Sequence, residues 1–131
     1  MQCPCGLPGD FKDCCEPLIK GDLPAKTPEA LMRSRYSAFA TKDMDYVRET
    51  TDPQTVLSFD LEASREWAES ADFYKLEILR ATDEGNKGIV EFKAHFRLKD
   101  GADQMHHELS KFRKQAGRWY FRDGKVYPNP S

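Results

Sequence analysis

The run from residue 88 to residue 99 constrains the fold most, because apolar and polar side chains alternate along it. The apolar side chains occupy every second position: Val90, Phe92, Ala94, Phe96 and Leu98. The polar side chains lie between them: Glu91, Lys93, His95, Arg97 and Lys99. Side chains of a strand point alternately to its two faces, so the pattern predicts a strand with one buried and one wet face. A strand of this kind is typical of an antiparallel sheet.

Turn-forming residues divide the rest of the second half into further strands. One strand is predicted from Phe73 to Thr82, before the turn-forming residues at 83–86. Another runs from about Gln104 to Lys114, after Asp100-Gly101, and a last one covers 118–122, where Asp123-Gly124 closes it. The second half is therefore predicted to be an antiparallel meander of about four strands.

The first half has helical periodicity instead. Thr27 is suited to cap a helix over about 28–41, with Pro28 at its first position. Asp43 is suited to cap a short second helix, and a third is predicted over about 59–69 from its apolar residues, Phe59, Leu61 and Trp67. Helices followed by a meander give an α+β fold, in which about three helices cover one face of a curved antiparallel sheet.

Composition restricts the class of protein. A chain of 131 residues suits one compact domain, and its 20 basic and 22 acidic residues give a net charge of −2. That balance argues against a dedicated nucleic-acid binder. There is no apolar run of the ~20 residues that a membrane span requires. Residues 1–5 have neither the basic nor the apolar region of a secretory signal, so we expect a cytoplasmic protein.

All four cysteines, Cys3, Cys5, Cys14 and Cys15, lie within the first 15 residues. Disulfide frameworks join distant segments, so this clustering favours a metal site, and four thiolates suit one zinc ion per chain. Four sulfurs leave no open position, so the zinc would be structural. The alternatives are another thiophilic metal such as iron, free thiols, or a strained disulfide between adjacent cysteines. Both Cys14 and Cys15 can bind one metal only if a turn or helix start brings them together.

Two stretches resemble a known family. Residues 3–15, CPCGLPGDFKDCC, resemble the SEC-C zinc motif, and residues 31–39, LMRSRYSAF, resemble the helix signature of the YchJ-like bacterial proteins. The segments ELSKF at 108–112 and WYFRDG at 119–124 are similar to the same family. The resemblance implies a SEC-C-like motif over 1–22 and a nuclear transport factor 2-like (NTF2-like) domain over 23–131, which is a cone of helices wrapped in a curved sheet.

The resemblance also implies a role. The SEC-C motif of the translocase ATPase SecA docks onto the chaperone SecB and onto ribosomes, so a protein-interaction or adaptor function is expected here. Residues 1–20 hold two lysines and three acidic residues, a balance of −1, and a zinc tetrathiolate would add two negative charges. This acidic module argues against binding to ribosomal RNA.

The second candidate function is enzymatic and rests on the third predicted strand. His106, Glu108, Ser110 and Phe112 share one face by period two, and the aromatic ring indicates that this face points inward. Glu108 is then either a buried ion-pair partner of Arg33 or Arg35, with Tyr36 donating to the same cluster, or the general acid/base of an isomerase or hydratase assisted by His106. We favour the structural pair and assign no catalytic residue. A cavity around Glu108 that is open to solvent would favour the enzymatic function. A cavity filled by side chains would favour the adaptor function.

Overall fold

The computed structural model describes residues 1–56 and 60–128. Within these residues, a 3-10 turn at Phe11–Asp13 precedes four α-helices and then four strands. The helices are α1 (Glu16–Ile19), α2 (Pro28–Thr41), α3 (Met44–Glu49) and α4 (Leu61–Ser70). The strands are β1 (Ala71–Asp83), β2 (Lys87–Leu98), β3 (Asp103–Gln115) and β4 (Arg118–Tyr127).

The four strands form one antiparallel sheet in the order β1-β2-β3-β4, which confirms the predicted meander. The alternation in β2 has the predicted effect, because Val90, Phe92 and Ala94 are buried while their polar neighbours are half-buried or exposed. The β1–β2 register shifts twice, and the β3–β4 register shifts between Lys111 and Phe112. Irregularities of this kind bend a sheet, so the strands curve around the helices.

The prediction that Asp123-Gly124 ends the last strand is wrong, since β4 continues to Tyr127. Gly124 pairs with Ser110 on β3 and lies beside the carboxyl group of Glu108. A Cβ atom at position 124 would lie 2.7 Å from the carboxyl carbon of Glu108. Glycine therefore occurs here because it leaves room for that side chain, and no turn is present.

The helices follow the predicted capping. The Thr27 hydroxyl accepts a hydrogen bond from the Ala30 amide (3.0 Å), and α2 spans the predicted residues. Asp43 caps α3, which ends at Glu49, one residue before the end predicted from the sequence at about Thr50. The third predicted helix corresponds to α4, which Asp60 caps by accepting from the Ala63 amide (2.9 Å). Phe59, which was assigned to that helix, lies outside the described residues.

The core lies between α2, α3 and the concave face of the sheet. Its best-buried apolar side chains include Leu31 and Ala38 on α2, Val47 on α3, and Val90 on β2. Trp119 closes the core at β4, where only 4% of its surface is exposed. None of the described helices is long and apolar enough to cross a membrane.

Candidate functional site

The four cysteine sulfurs form one cluster, in which all Sγ atoms lie within 4.8 Å of one another. Cys3, Cys5 and Cys15 are almost completely buried, and Cys14 is half-buried. The Cys5 Sγ lies 3.7 Å from the Cys14 Sγ, which lies 4.0 Å from the Cys15 Sγ. Among residues 1–56 and 60–128, this is the only group of three or more potential ligand residues close enough to hold a metal.

Local backbone geometry brings the two cysteine pairs together. Gly6 adopts a positive φ of 92°, and its amide donates to the Cys3 carbonyl (3.3 Å), so the chain turns sharply after Cys5. The second pair lies where the 3-10 turn ends and α1 begins, with Cys15 as the N-cap of that helix. This helix start is what allows both adjacent cysteines to point at one centre. Phe11 packs against the cluster, as the sequence indicated.

The cluster has the dimensions of a metal tetrathiolate. Zinc binds thiolate sulfur at about 2.3 Å in a tetrahedron, which places neighbouring sulfurs about 3.8 Å apart. The Cys5–Cys14 and Cys14–Cys15 sulfur–sulfur distances of 3.7 and 4.0 Å are close to that value. The described residues therefore fit a metal ion that prefers four thiolates.

The thiols differ in acidity. Hydrogen bonding from Cys15 lowers the pKa of Cys5 to about 5. Burial raises the pKa of Cys14 to about 12, and the hydrogen bond to Cys5 raises the pKa of Cys15. Metal ions bind thiolates, so a metal ion has to displace the protons that remain on the cluster.

Helix α2 holds the cysteine cluster against the larger domain. The Arg33 Nη1 donates to the Cys5 carbonyl oxygen (2.7 Å), while its Nε donates to Glu29 (2.9 Å). The Ser37 hydroxyl lies 3.7 Å from the Cys3 Sγ, one turn further along the helix. Residues 33 and 37 face the same way because they are four apart. Hydrogen bonds of this sort orient metal ligands.

A second group of polar side chains lines a cavity of about 200 Å³ between α2, α4 and the sheet. Glu108 accepts hydrogen bonds from His106 Nε2 (2.8 Å) and from the Ser110 hydroxyl (2.6 Å). Burial opposes ionisation of Glu108, but these two hydrogen bonds, together with the electrostatic effects of His106 and Arg35, outweigh it and lower the pKa of the carboxyl group. Trp67 contacts the His106 ring at 5.3 Å between centroids. The cavity therefore contains an ionised carboxylate among aromatic walls.

The predicted ion pair between Glu108 and an arginine is wrong, since no such pair lies within 4.0 Å among the described residues. Arg35 does line the cavity, but its Nη1 donates to the Val47 carbonyl (2.8 Å) and to Thr50 (2.6 Å). Its guanidinium stacks over the ring of Phe121 at 4.6 Å. Residues 33 and 35 are two apart on a helix and point in different directions. One therefore faces the cysteines and the other the cavity.

The remaining candidates of the sequence lie elsewhere. Tyr36 is buried against Phe73 on β1 at 5.8 Å between ring centroids, and it is absent from the cavity lining. Burial raises the pKa of its phenol, so it stays neutral. His107 points to the outer face and contacts Glu91 (2.8 Å). His95, predicted to be solvated, is half-buried and contacts Glu77 (2.6 Å).

Sequence reasoning missed Asp52, a fully buried carboxylate. Arg113 binds it through both Nε (2.7 Å) and Nη2 (2.8 Å), and Arg122 adds a third contact at 3.3 Å. The Gln54 amide donates to the same carboxylate (2.9 Å). The two arginines lie 61 and 70 residues after Asp52, so no short motif connects them to it. Only the tertiary fold brings them together.

Comparison with known proteins agrees with these features. Residues 27–124 match the family model described as YchJ, middle NTF2-like domain. A UPF0225 protein from Geobacter sulfurreducens is 44% identical, over 98% of this chain and 82% of its own length. The solution structure of a SEC-C motif-containing protein from Rhodopseudomonas palustris has a TM-score of 0.90 and 48% identity, with 98% of this chain and 100% of that chain covered.

A crystal structure of a SEC-C motif-containing protein from Psychrobacter arcticus is also similar, with a TM-score of 0.83 and 35% identity over 100% of this chain and 85% of that one. Each comparison covers the domain that surrounds the cavity, and the two solved structures also cover the cysteine segment. The α+β fold is therefore shared, and both solved structures are described as SEC-C motif-containing proteins. The chain belongs to the YchJ-like family, with an NTF2-like domain preceded by a SEC-C-type cysteine cluster.

Proposed function

We propose that this protein is a small cytoplasmic binding module, in which Cys3, Cys5, Cys14 and Cys15 hold one structural zinc ion. The observation that carries the proposal is the single cluster of four sulfurs within 4.8 Å. Four thiolates would fill the tetrahedral coordination of zinc and leave no position for water or substrate. The metal would then fix the shape of the first 22 residues and take no part in chemistry.

The zinc assignment is tested by elemental analysis of protein purified without added metal. We expect about one zinc per chain, and close to none in a Cys14→Ser/Cys15→Ser variant. Iron in place of zinc, or a native protein without metal, would refute the assignment. Full zinc content in the double variant would refute the ligand set.

We further propose that the ordered N-terminal module presents a surface to a protein partner. Leu7 and Leu23 lie in and just after the module, and 40% and 55% of their surfaces are exposed. Such side chains are candidates for the apolar centre of an interface, although a single exposed leucine is ordinary. The acidic charge of the module favours protein over nucleic acid as the partner. A partner like SecB or a ribosomal protein is expected from the SEC-C resemblance alone.

This interaction role is tested by affinity capture from lysate of the source organism with the zinc-loaded full chain. We expect a Leu7→Ser/Leu23→Ser variant to lose a partner that the wild type retains. Leu79 on β1 offers a matched control, because 46% of its surface is exposed on a different part of the molecule. A partner that is retained by the double variant, or lost equally with Leu79→Ser, would contradict the proposed surface.

A second candidate function is supported by the open cavity around Glu108. A volume of about 200 Å³ shows that side chains do not fill it, and this is the feature expected of an enzyme. An ionised Glu108 held by His106 and Ser110 would suit proton transfer to or from a small molecule. A turnover that Glu108→Gln abolishes without lowering the melting temperature would favour this function over a purely structural network.

A further inference from the structure

A groove lined by residues of all four strands and by Gln54 carries strong positive charge. We call it the basic groove and define it by Lys87, Lys111, Arg113 and Arg122. Its volume is about 520 Å³, within the range of small-molecule sites. The net charge of the whole chain is −2, so this concentration of cations is local. Among the described residues, Glu84 is the one acidic side chain that lines it.

Strand pairing explains why these cations lie together. Lys87 at the start of β2 is the register partner of Arg113 near the end of β3. Ile89 is the partner of Lys111 in the same hairpin. Ile89 and Phe112 also line the groove and give it an apolar part beside the charges.

The two arginines are held in place before any ligand arrives. The buried Asp52 carboxylate binds Arg113 through two hydrogen bonds and Arg122 through one. Gln115 and Gln54 accept one further hydrogen bond each, from Arg113 Nη2 and Arg122 Nη1 (2.6 and 2.7 Å). Guanidinium groups fixed in this way lose little conformational freedom when they bind an anion.

Unused donors remain on both arginines. Within residues 1–56 and 60–128, the hydrogen bonds of Arg113 leave from Nε and Nη2, and those of Arg122 leave from Nη1. Arg113 Nη1, Arg122 Nε and Arg122 Nη2 have no acceptor in that part of the chain. Guanidinium groups are well suited to phosphate oxygens because their donors match the spacing of those acceptors.

We propose that the basic groove binds a small phosphate monoester with an apolar or aromatic body. The four cations of the groove and the carboxylates of Asp52 and Glu84 together have a net charge of +2. A phosphate monoester carries a charge of about −1.5 to −2 at neutral pH, which complements it. The phosphate would bind at the arginines and lysines, and its organic part would lie against Ile89. The site is independent of the function proposed above, because it includes neither the cysteines nor Glu108.

The test is an NMR titration of the zinc-loaded full chain with phenyl phosphate. We expect saturable amide shifts in residues 87–89 and 111–113, with weaker binding of benzoate and of inorganic phosphate. Benzoate carries a single charge, and inorganic phosphate lacks the ring. Equal or tighter binding of benzoate, or no saturable shift at about 10 mM phenyl phosphate, would overturn the proposal.

Two lysine variants separate a specific site from general attraction. Lys111→Gln removes a groove cation that is exposed and makes no contact with Asp52, so the fold is expected to persist. It should weaken phenyl phosphate binding about tenfold. Lys99→Gln makes the same charge change in the turn after β2, at the opposite end of the same hairpin. Unchanged affinity in Lys111→Gln, or equal loss in both variants, would overturn the proposal.

Discussion

Arg33→Met tests whether α2 holds the metal-bound module in place. The structure shows one charged hydrogen bond from Arg33 to the Cys5 carbonyl, at 2.7 Å, and the arginine side chain is only 16% exposed. Hydrogen bonds that involve a charged group contribute about 1.5–3 kcal/mol. Methionine retains much of the aliphatic stem but cannot donate. We therefore expect the free energy of unfolding of the zinc-loaded protein to fall by about 1.5–3 kcal/mol.

Thermal unfolding followed by circular dichroism measures this loss. For a chain of this length, it corresponds to a decrease in melting temperature of roughly 5–10 °C. The effect should almost disappear in the Cys14→Ser/Cys15→Ser background, because the Cys5 carbonyl is then no longer held against Arg33.

Arg65 on α4 provides the matched control. It pairs with Glu62 at 2.9 Å, lies far from the cysteines in the chain, and is 43% exposed. Exposed pairs contribute about 0–1 kcal/mol, so Arg65→Met should have little effect with or without zinc. Equal destabilisation by Arg33→Met in zinc-loaded and metal-free protein would refute the coupling. So would an Arg65→Met effect as large as that of Arg33→Met.

Three further predictions concern the domain itself. Chelation of zinc should collapse the dispersed NMR signals of residues 1–22 only, since the larger domain has its own core; loss of dispersed peaks throughout 28–125 would contradict this. Glu108→Gln should destabilise the protein at neutral pH, and its difference from wild type in urea unfolding should shrink below about pH 4. The folded state lowers the pKa of Glu108, so the ionised carboxylate stabilises the fold above the unfolded-state pKa, and this stability is lost as the carboxyl group protonates. A difference that does not depend on pH would refute an ionised Glu108. Gly88→Ala should lower the free energy of unfolding by about 1–3 kcal/mol in the same assay, because its Cβ would lie 2.6 Å from the Thr82 carbonyl oxygen and would overlap the Pro28 ring. Gly85→Ala is the control, because it has open space around it and tests the strain of a positive φ without that clash. Equal losses in the two variants would refute the steric argument.

The architecture was predictable because local patterns determine it. The alternation in β2 and the capping residues Thr27 and Asp43 act over a few positions, so the sequence alone identifies those elements. The cysteine cluster was predictable for the same reason, since all four cysteines lie within 15 residues. Gly124 shows the limit of local reading. Its Asp-Gly pair is typical of a turn, but the decisive contact is with Glu108 on the neighbouring strand.

The partners of buried charges could not be predicted in this way. The period of β3 correctly places Glu108 on the inner face with His106 and Ser110, and it says nothing about which side chain crosses the cavity. An arginine can reach many acceptors, and Arg35 donates its hydrogen bonds to a backbone oxygen on α3 and to a hydroxyl oxygen just after that helix. Its burial lowers its pKa to about 10, so it still carries its charge at neutral pH.

The residues of the helix signature at 31–39 form two sets, and each set contacts a different part of the molecule. Arg33 and Ser37 contact the cysteine module, while Ser34 and Arg35 contact α3 and the residue that follows it. The 100° rotation between successive helical residues makes this division possible, because one turn of helix presents both faces. A shift or rotation of α2 that follows metal loss would therefore move Arg35 within the cavity as well as Arg33 at the metal. The cysteine cluster and the cavity are both contacted by this one helix, although they share no residue among the described ones.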